Sequence, residues 1–289
     1  MNKPALMPLM VCLLLAGCGS DSDAPPPAAS GDHAGDGQAR EMTSATGDTA
    51  DNAAVQVPAA HRVLSLISEV EGDGALSYPI ANGATINYWH GQQFTAQGKR
   101  YYTGFAWLSP TVFGEQQSAY PDPGQPAVLA QATFELTGDA QQPWRWEGSE
   151  LDIGHFGGYG RGNAVDGKRQ VEWVSLSNGD LLLAIPTLYD IPGATGRAVE
   201  ILHFSATLPA QADDKRWRHL GTLEAGSDNS ASCGEANPRI ACRDVSAQLL
   251  VDAQAGQDFP VLSLTFPPAS DERTVHYRYH AQSKTYRAN

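Results

Sequence analysis

After His61, apolar and polar positions along the chain alternate mainly with a period of two. Thr85-Ile86-Asn87-Tyr88-Trp89 alternates, and Trp144-Arg145-Trp146-Glu147 alternates aromatic with charged side chains. Tyr101 to Leu108 and Ala127 to Leu136 are aromatic, β-branched and aliphatic runs bounded by Gly, Pro and Asp. The short apolar run Val63-Leu64-Ser65-Leu66-Ile67-Ser68 joins them as a strand signal. Val171 to Leu176 and Leu181 to Ile185 flank Ser177-Asn178-Gly179-Asp180, which predicts a hairpin with a type I′ turn at Asn-Gly. Val199–Phe204, Trp217–Leu223, Ser246–Val251, Val261–Phe266 and Val275–Tyr279 add further strands. No stretch predicts an amphipathic helix longer than about three turns.

Roughly eleven or twelve strands at such spacing indicate a sandwich, barrel or propeller. No 40–50-residue repeat supports a propeller in particular. The expected fold is all-β: a single large antiparallel domain over 61–289, with two β subdomains dividing around 138–143 as the alternative.

The N-terminus follows other rules. Lys3 precedes an apolar run from Ala5 to Leu15, too short to cross a bilayer and suited to a signal peptide over residues 1–17. It ends in Leu15-Ala16-Gly17-Cys18, which resembles the lipobox of bacterial lipoproteins. The resemblance implies cleavage before Cys18 and acylation of that cysteine, and more than one acyl chain anchors stably. Gly19 stands where enterobacterial lipoproteins retained in the inner membrane carry aspartate. The resemblance therefore implies the outer membrane, with the domain on the periplasmic face.

Residues 19–60 contain no Phe, Trp, Tyr, Leu or Ile, and carry seven acids against one base, Arg40. Such a segment buries too little apolar surface to offset its ordering entropy, so residues 18–60 are expected to form a disordered tether. A flexible chain of that length spans roughly 35 Å on average and about 140 Å at full stretch. The formal charge of −13 over 289 residues then divides, with about −8 on residues 61–289 and −6 on the tether. That acidity argues against nucleic acid, whose binding needs basic patches.

If, as the lipobox resemblance implies, Cys12 leaves with the signal and Cys18 is acylated, Cys233 and Cys242 are left. In an oxidising periplasm they are expected to form a disulfide across the turn-rich Gly234-Glu235-Ala236-Asn237-Pro238. No nucleophile elbow, P-loop, zinc-protease or dinucleotide motif occurs, so no cofactor or metal is expected. His276 and His280 alternate with Val275, Tyr277 and Tyr279 and are expected on a polar strand face. Asp228-Asn229-Ser230 is expected to form a capped turn rather than a calcium loop.

The most unusual stretch is Glu150 to Asn163, where five glycines within nine residues surround His155, Phe156, Tyr159 and Arg161. A glycine-rich loop of this kind can approach a partner closely and present aromatic and cationic tips. His155, Phe156, Tyr159 and Arg161 are the candidate partner-binding residues. A catalytic reading pairs His155 with Asp152 or Glu150, but no nucleophile stands at recognisable spacing.

The last 70 or so residues, with Tyr277-Arg278-Tyr279 and then Tyr286-Arg287, resemble the final hairpin of uncharacterised proteobacterial lipoproteins. Some of those are lysozyme inhibitors or immunity proteins. They often present a Ser-Gly-x-x-Tyr loop; here only Gly157-Gly158-Tyr159 is comparable and the serine is missing. The resemblance implies a non-enzymatic binding role, with a periplasmic protein such as a cell-wall hydrolase, or cell-wall glycan, as partner. A periplasmic hydrolase or carbohydrate-active enzyme and an assembly lipoprotein of the envelope are the alternatives.

Overall fold

The computed structural model describes residues 55–81, 83–110, 122–207, 214–234, 239–252, 258–268, 270 and 273–289. The expected signal segment, Cys18 and the expected tether up to residue 54 lie outside the described residues. The chain divides into Met1–Asp51 and Asn52–Asn289, and the second unit carries the fold.

Its described residues form one helix, α1 (Ala60–Ser68), and three antiparallel meanders, each from a contiguous stretch of chain. The first sheet runs in sequence order: β1 (Ser77–Pro79), β2 (Thr85–Ala96), β3 (Lys99–Leu108), β4 (Ala127–Leu136) and β5 (Trp144–Phe156). The middle sheet begins at its edge with β6 (Ala164–Val165) and β7 (Glu172–Ser175), which both pair with β8 (Leu181–Ile191). It continues through β9 (Ala194–Phe204) and β10 (Trp217–Asp228) to β11 (Asp244–Ser246). The last sheet comprises β12 (Gln248–Asp252), β13 (Val261–Thr265), β14 (Val275–His280) and β15 (Thr285–Ala288). The fold is all-β and antiparallel.

Three apolar layers join these elements. Val63, Leu64 and Ile67 of α1 pack with Tyr102, Ala106, Ala130 and Phe134 on one face of the first sheet. Tyr101, Phe105, Leu129 and Ile153 on its other face meet Leu183, Leu202, Phe204 and Trp217 of the middle sheet. Leu182, Val199, Ile201 and Leu223 on the far side of the middle sheet meet Leu249, Leu262, Leu264 and Tyr286. Strands β3, β4 and β8 are covered on both faces, which is why they read as near-continuous apolar runs rather than strict alternations. Cβ on Gly104 would come within 2.5 Å of a Val63 methyl, so glycine there lets α1 seat against the sheet.

The structure departs from the sequence expectation at several points. Val63 to Ser68 is helix, not strand: positions 63, 64 and 67 share one helical face, and so short an apolar run fits either period. Folded chain also begins before residue 61. Val57 packs against the α1 layer, and the Trp144 indole N–H donates to the Gln56 carbonyl at 2.8 Å. The Asn178-Gly179 turn is not type I′. Only Gly179 has positive φ (86°), and the Gly179 N–H bonds the Leu176 carbonyl at 3.0 Å, so the loop is a three-residue turn closed by a left-handed glycine. The predicted strand Ser246–Val251 is shared between β11 and β12, which belong to different sheets. Cys233 and Cys242 are joined in a disulfide, as expected.

Candidate functional site

The glycine-rich segment is not a long loop. Strand β5 extends to Phe156, and the chain then reverses in a tight two-residue turn. Gly158 and Arg161 exchange backbone hydrogen bonds at 3.1 and 3.0 Å, while Tyr159 (φ 55°) and Gly160 (φ 68°) both occupy the left-handed region. This is type I′ geometry, which normally selects Asn and Gly. The turn is held from outside as well: Gly160 N–H donates to the Gln125 carbonyl at 2.7 Å, and Tyr159 N–H to that of Pro123 at 3.4 Å.

The four candidate residues separate. Tyr159 is 41% exposed, and His155 and Arg161 are exposed. Phe156 is a correction: it is 3% exposed, its ring is 4.9 Å from that of Trp89, and it belongs to the core between the first two sheets. An apolar ring beside glycines can turn inward as readily as outward, and here the inter-sheet space takes it. The glycines serve this packing. Cβ on Gly162 would lie 2.5 Å from Phe156 and 2.9 Å from Trp107, and on Gly154 2.6 Å from the His219 side chain.

Just past the turn, Asn163 is 7% exposed and fixes the second stem. Its carbonyl accepts from the Trp89 indole at 2.7 Å, and its amide donates to Glu200 Oε1 at 2.8 Å. Glu200 is fully buried, between the first and middle sheets. Thr187 Oγ1 donates to Oε1 at 3.2 Å, Thr222 Oγ1 to Oε2 at 2.7 Å, and His219 Nε2 lies 2.9 Å from Oε2. Four partners fill the carboxylate's acceptor positions. Residues 219 and 222 can reach one carboxylate only because β10 is bulged between His219 and Gly221, which turns Thr222 to the same face.

Sequence reasoning missed Glu200. The available signal was an acid inside the otherwise apolar run Ala198 to Leu202, because a strand buried on both faces accommodates a carboxylate only with partners.

The carboxylates considered as partners for His155 have other roles. Glu150 accepts the backbone N–H groups of Arg216 (2.6 Å) and Trp217 (3.0 Å) and the Gln131 amide (3.0 Å), tying β5 to the start of β10. Asp152 accepts from Gly154 N–H at 2.9 Å and lies 3.8 Å from the Lys215 ammonium. His276 is on β14, its Nδ1 2.8 Å from Ser263 Oγ. Asp228 accepts the Ser230 N–H at 2.9 Å, as a capped turn requires; that bond is the main reason its carboxyl titrates below the usual range.

Two clefts open among the described residues. One of about 330 Å³ lies beside the stacked rings of Phe259 and Tyr279, 3.9 Å apart. The other, about 360 Å³, opens on the middle sheet between Arg169, Glu172 and Gln248. No known family, characterised protein or solved structure matches this chain.

Proposed function

We propose that this chain is a lipid-anchored protein of the outer membrane that binds a periplasmic partner through the Tyr159–Arg161 turn, without catalysis. The observation that carries the reading is Tyr159 itself. It is the only aromatic residue among the described non-glycine residues with positive φ, and it is 41% exposed. A left-handed tyrosine costs on the order of 1 kcal/mol that Asn or Gly would avoid, and an exposed ring regains little of it from the fold. Such outliers cluster where a side chain must be presented. The turn is rigidly based, with Phe156 in the core on one stem and Asn163 bonded to Glu200 on the other. A preorganised aromatic beside an arginine spends little entropy on binding.

The lipobox at Leu15-Ala16-Gly17-Cys18 supports the anchor, and the negative charge of residues 61–289 favours encounter with a basic partner, as many cell-wall hydrolases are. The full chain, immobilised and exposed to periplasmic extract, should retain a protein that Tyr159→Ala and Arg161→Ala variants do not. Identical retention by wild type and both variants defeats the reading. Cys18→Ser should move the protein from the membrane to the soluble fraction, and continued sedimentation with membranes defeats the anchor.

A further inference from the structure

The cleft on the middle sheet has a physical origin in β8. Strand β7 pairs with Leu181 to Ala184 and β6 with Thr187 and Leu188, so pairing on this edge lapses around Pro186. Proline has no N–H to offer a neighbour, and its carbonyl bonds the Asp166 N–H at 2.9 Å. The chain between β6 and β7 borders a cleft of about 360 Å³ there. Its floor is apolar and small, with Ala184, Pro186 and Val199, and its rim carries Arg169, Glu172 and the exposed Ser246.

Arg169 is held in place by the fold. Its Nε donates to Asp166 at 2.7 Å, and its Nη2 to the carbonyls of Thr187 (2.9 Å) and Ala198 (3.0 Å). Nη1 has no hydrogen-bond partner among the described residues, and the side chain keeps 21% of its surface exposed. Burial would raise the Asp166 carboxyl, but the Lys168 N–H and Arg169 hold it below the usual range, so it stays charged. The cleft therefore offers the Nη1 edge of an arginine already ion-paired with Asp166, one exposed carboxylate at Glu172, and an apolar floor.

We infer that this cleft binds a small zwitterion, a free amino acid or a dipeptide. The α-carboxylate is placed on Arg169 Nη1, the α-ammonium toward Glu172, and the side chain on the Ala184–Val199 floor. A guanidinium suits a carboxylate by charge and by planar geometry. A ligand without an ammonium would leave the Glu172 carboxylate unanswered, and one without a carboxylate would leave Arg169 Nη1 without an acceptor.

Calorimetric titration of the full chain tests this with four probes: L-leucine, the dipeptide Ala-Leu, N-acetyl-leucine and N-acetyl-leucine amide. Saturable binding of leucine or the dipeptide is expected, with the preferred one identifying the source. Affinity should fall at least tenfold for N-acetyl-leucine and further for the amide. Glu172→Gln should weaken the zwitterion at least tenfold while leaving N-acetyl-leucine unchanged. Ser246→Trp, on the exposed rim, should abolish binding with the unfolding midpoint unchanged. Absence of saturable heat with both zwitterions, equal affinity for the blocked compounds, or full binding by Ser246→Trp overturns the assignment.

Discussion

Two charged groups are buried at the interface of the first and middle sheets, and they are accommodated in opposite ways. Glu200 is fully buried and takes hydrogen bonds from Asn163, Thr187 and Thr222, with His219 against its other acceptor position. The Arg216 side chain is 7% exposed, yet its Nε and Nη1 find no hydrogen-bond partner. What Arg216 has instead is Glu147 at 3.5 Å and the rings of Tyr101 and Phe204, each centred 5.3 Å from its Cζ. It ends a chain of alternating charges in which Lys99 and Arg145 share Glu135, and Arg145 and Arg216 share Glu147. Ring faces answer the charge of a guanidinium but not its individual N–H groups. The carboxylate is thus a fully connected polar network, while the arginine is a stacked cation at the end of an ion-pair ladder. The first kind of site specifies geometry; the second tolerates replacement.

The largest effect should come from Glu200→Ala. It strands Asn163, Thr187, His219 and Thr222, and should cost about 3–5 kcal/mol in urea unfolding. A cost near that of an ordinary surface change would show that the network specifies nothing. Asn163→Ala should cost less, about 1–3 kcal/mol, because three partners remain on Glu200. It should also loosen the Tyr159 turn, read as faster amide exchange at Gly158 and Arg161; unchanged exchange would separate the turn from the buried network. Arg216→Met should stay within about 1 kcal/mol of wild type, since it keeps an apolar stem on the two rings and removes the unpartnered N–H groups. A loss as large as that of Glu200→Ala would erase the contrast.

The smallest effect is a pH dependence from an intermediate case. His203 is partly buried, with Nε2 3.0 Å from Asp180, and burial lowers its pKa below 6.5 despite that carboxylate. A depressed histidine resists protonation in the folded state, so stability is complete above about pH 6.5 and declines as pH falls below it. His90 is shifted the same way, chiefly by burial. Unfolding midpoints at pH 7.5, 6.5 and 5.5 should slope less in His203→Gln than in wild type, and equal slopes would assign the dependence elsewhere.

The strands were legible because each needs only local pattern. Val261–Phe266 and Val275–Tyr279 were found within a residue or two of β13 and β14. The disulfide was legible because elimination left one pair. Helix α1 was not, since Val63, Leu64 and Ile67 share a face under one periodicity while the run as a whole satisfies another. The Tyr159 turn was half legible. Its glycines marked a reversal, but its type depends on Tyr159 accepting positive φ, which composition disfavours. Of the candidate binding residues, Tyr159, Arg161 and His155 lie on the surface, while Phe156 was claimed by a core that no local pattern announces.

An antiparallel β domain, its strand positions, the pairing of Cys233 with Cys242 and the separation of an acidic N-terminal stretch from a folded remainder all follow from residue order, because they depend on neighbours in the chain. The stacking of three meanders, the burial of Glu200 among residues from β8, β9, β10 and the segment after the turn, and the cleft at Pro186 do not. Those arise from contacts between residues tens of positions apart, where a bulge of one residue in β10 or one missing N–H in β8 decides which side chains meet.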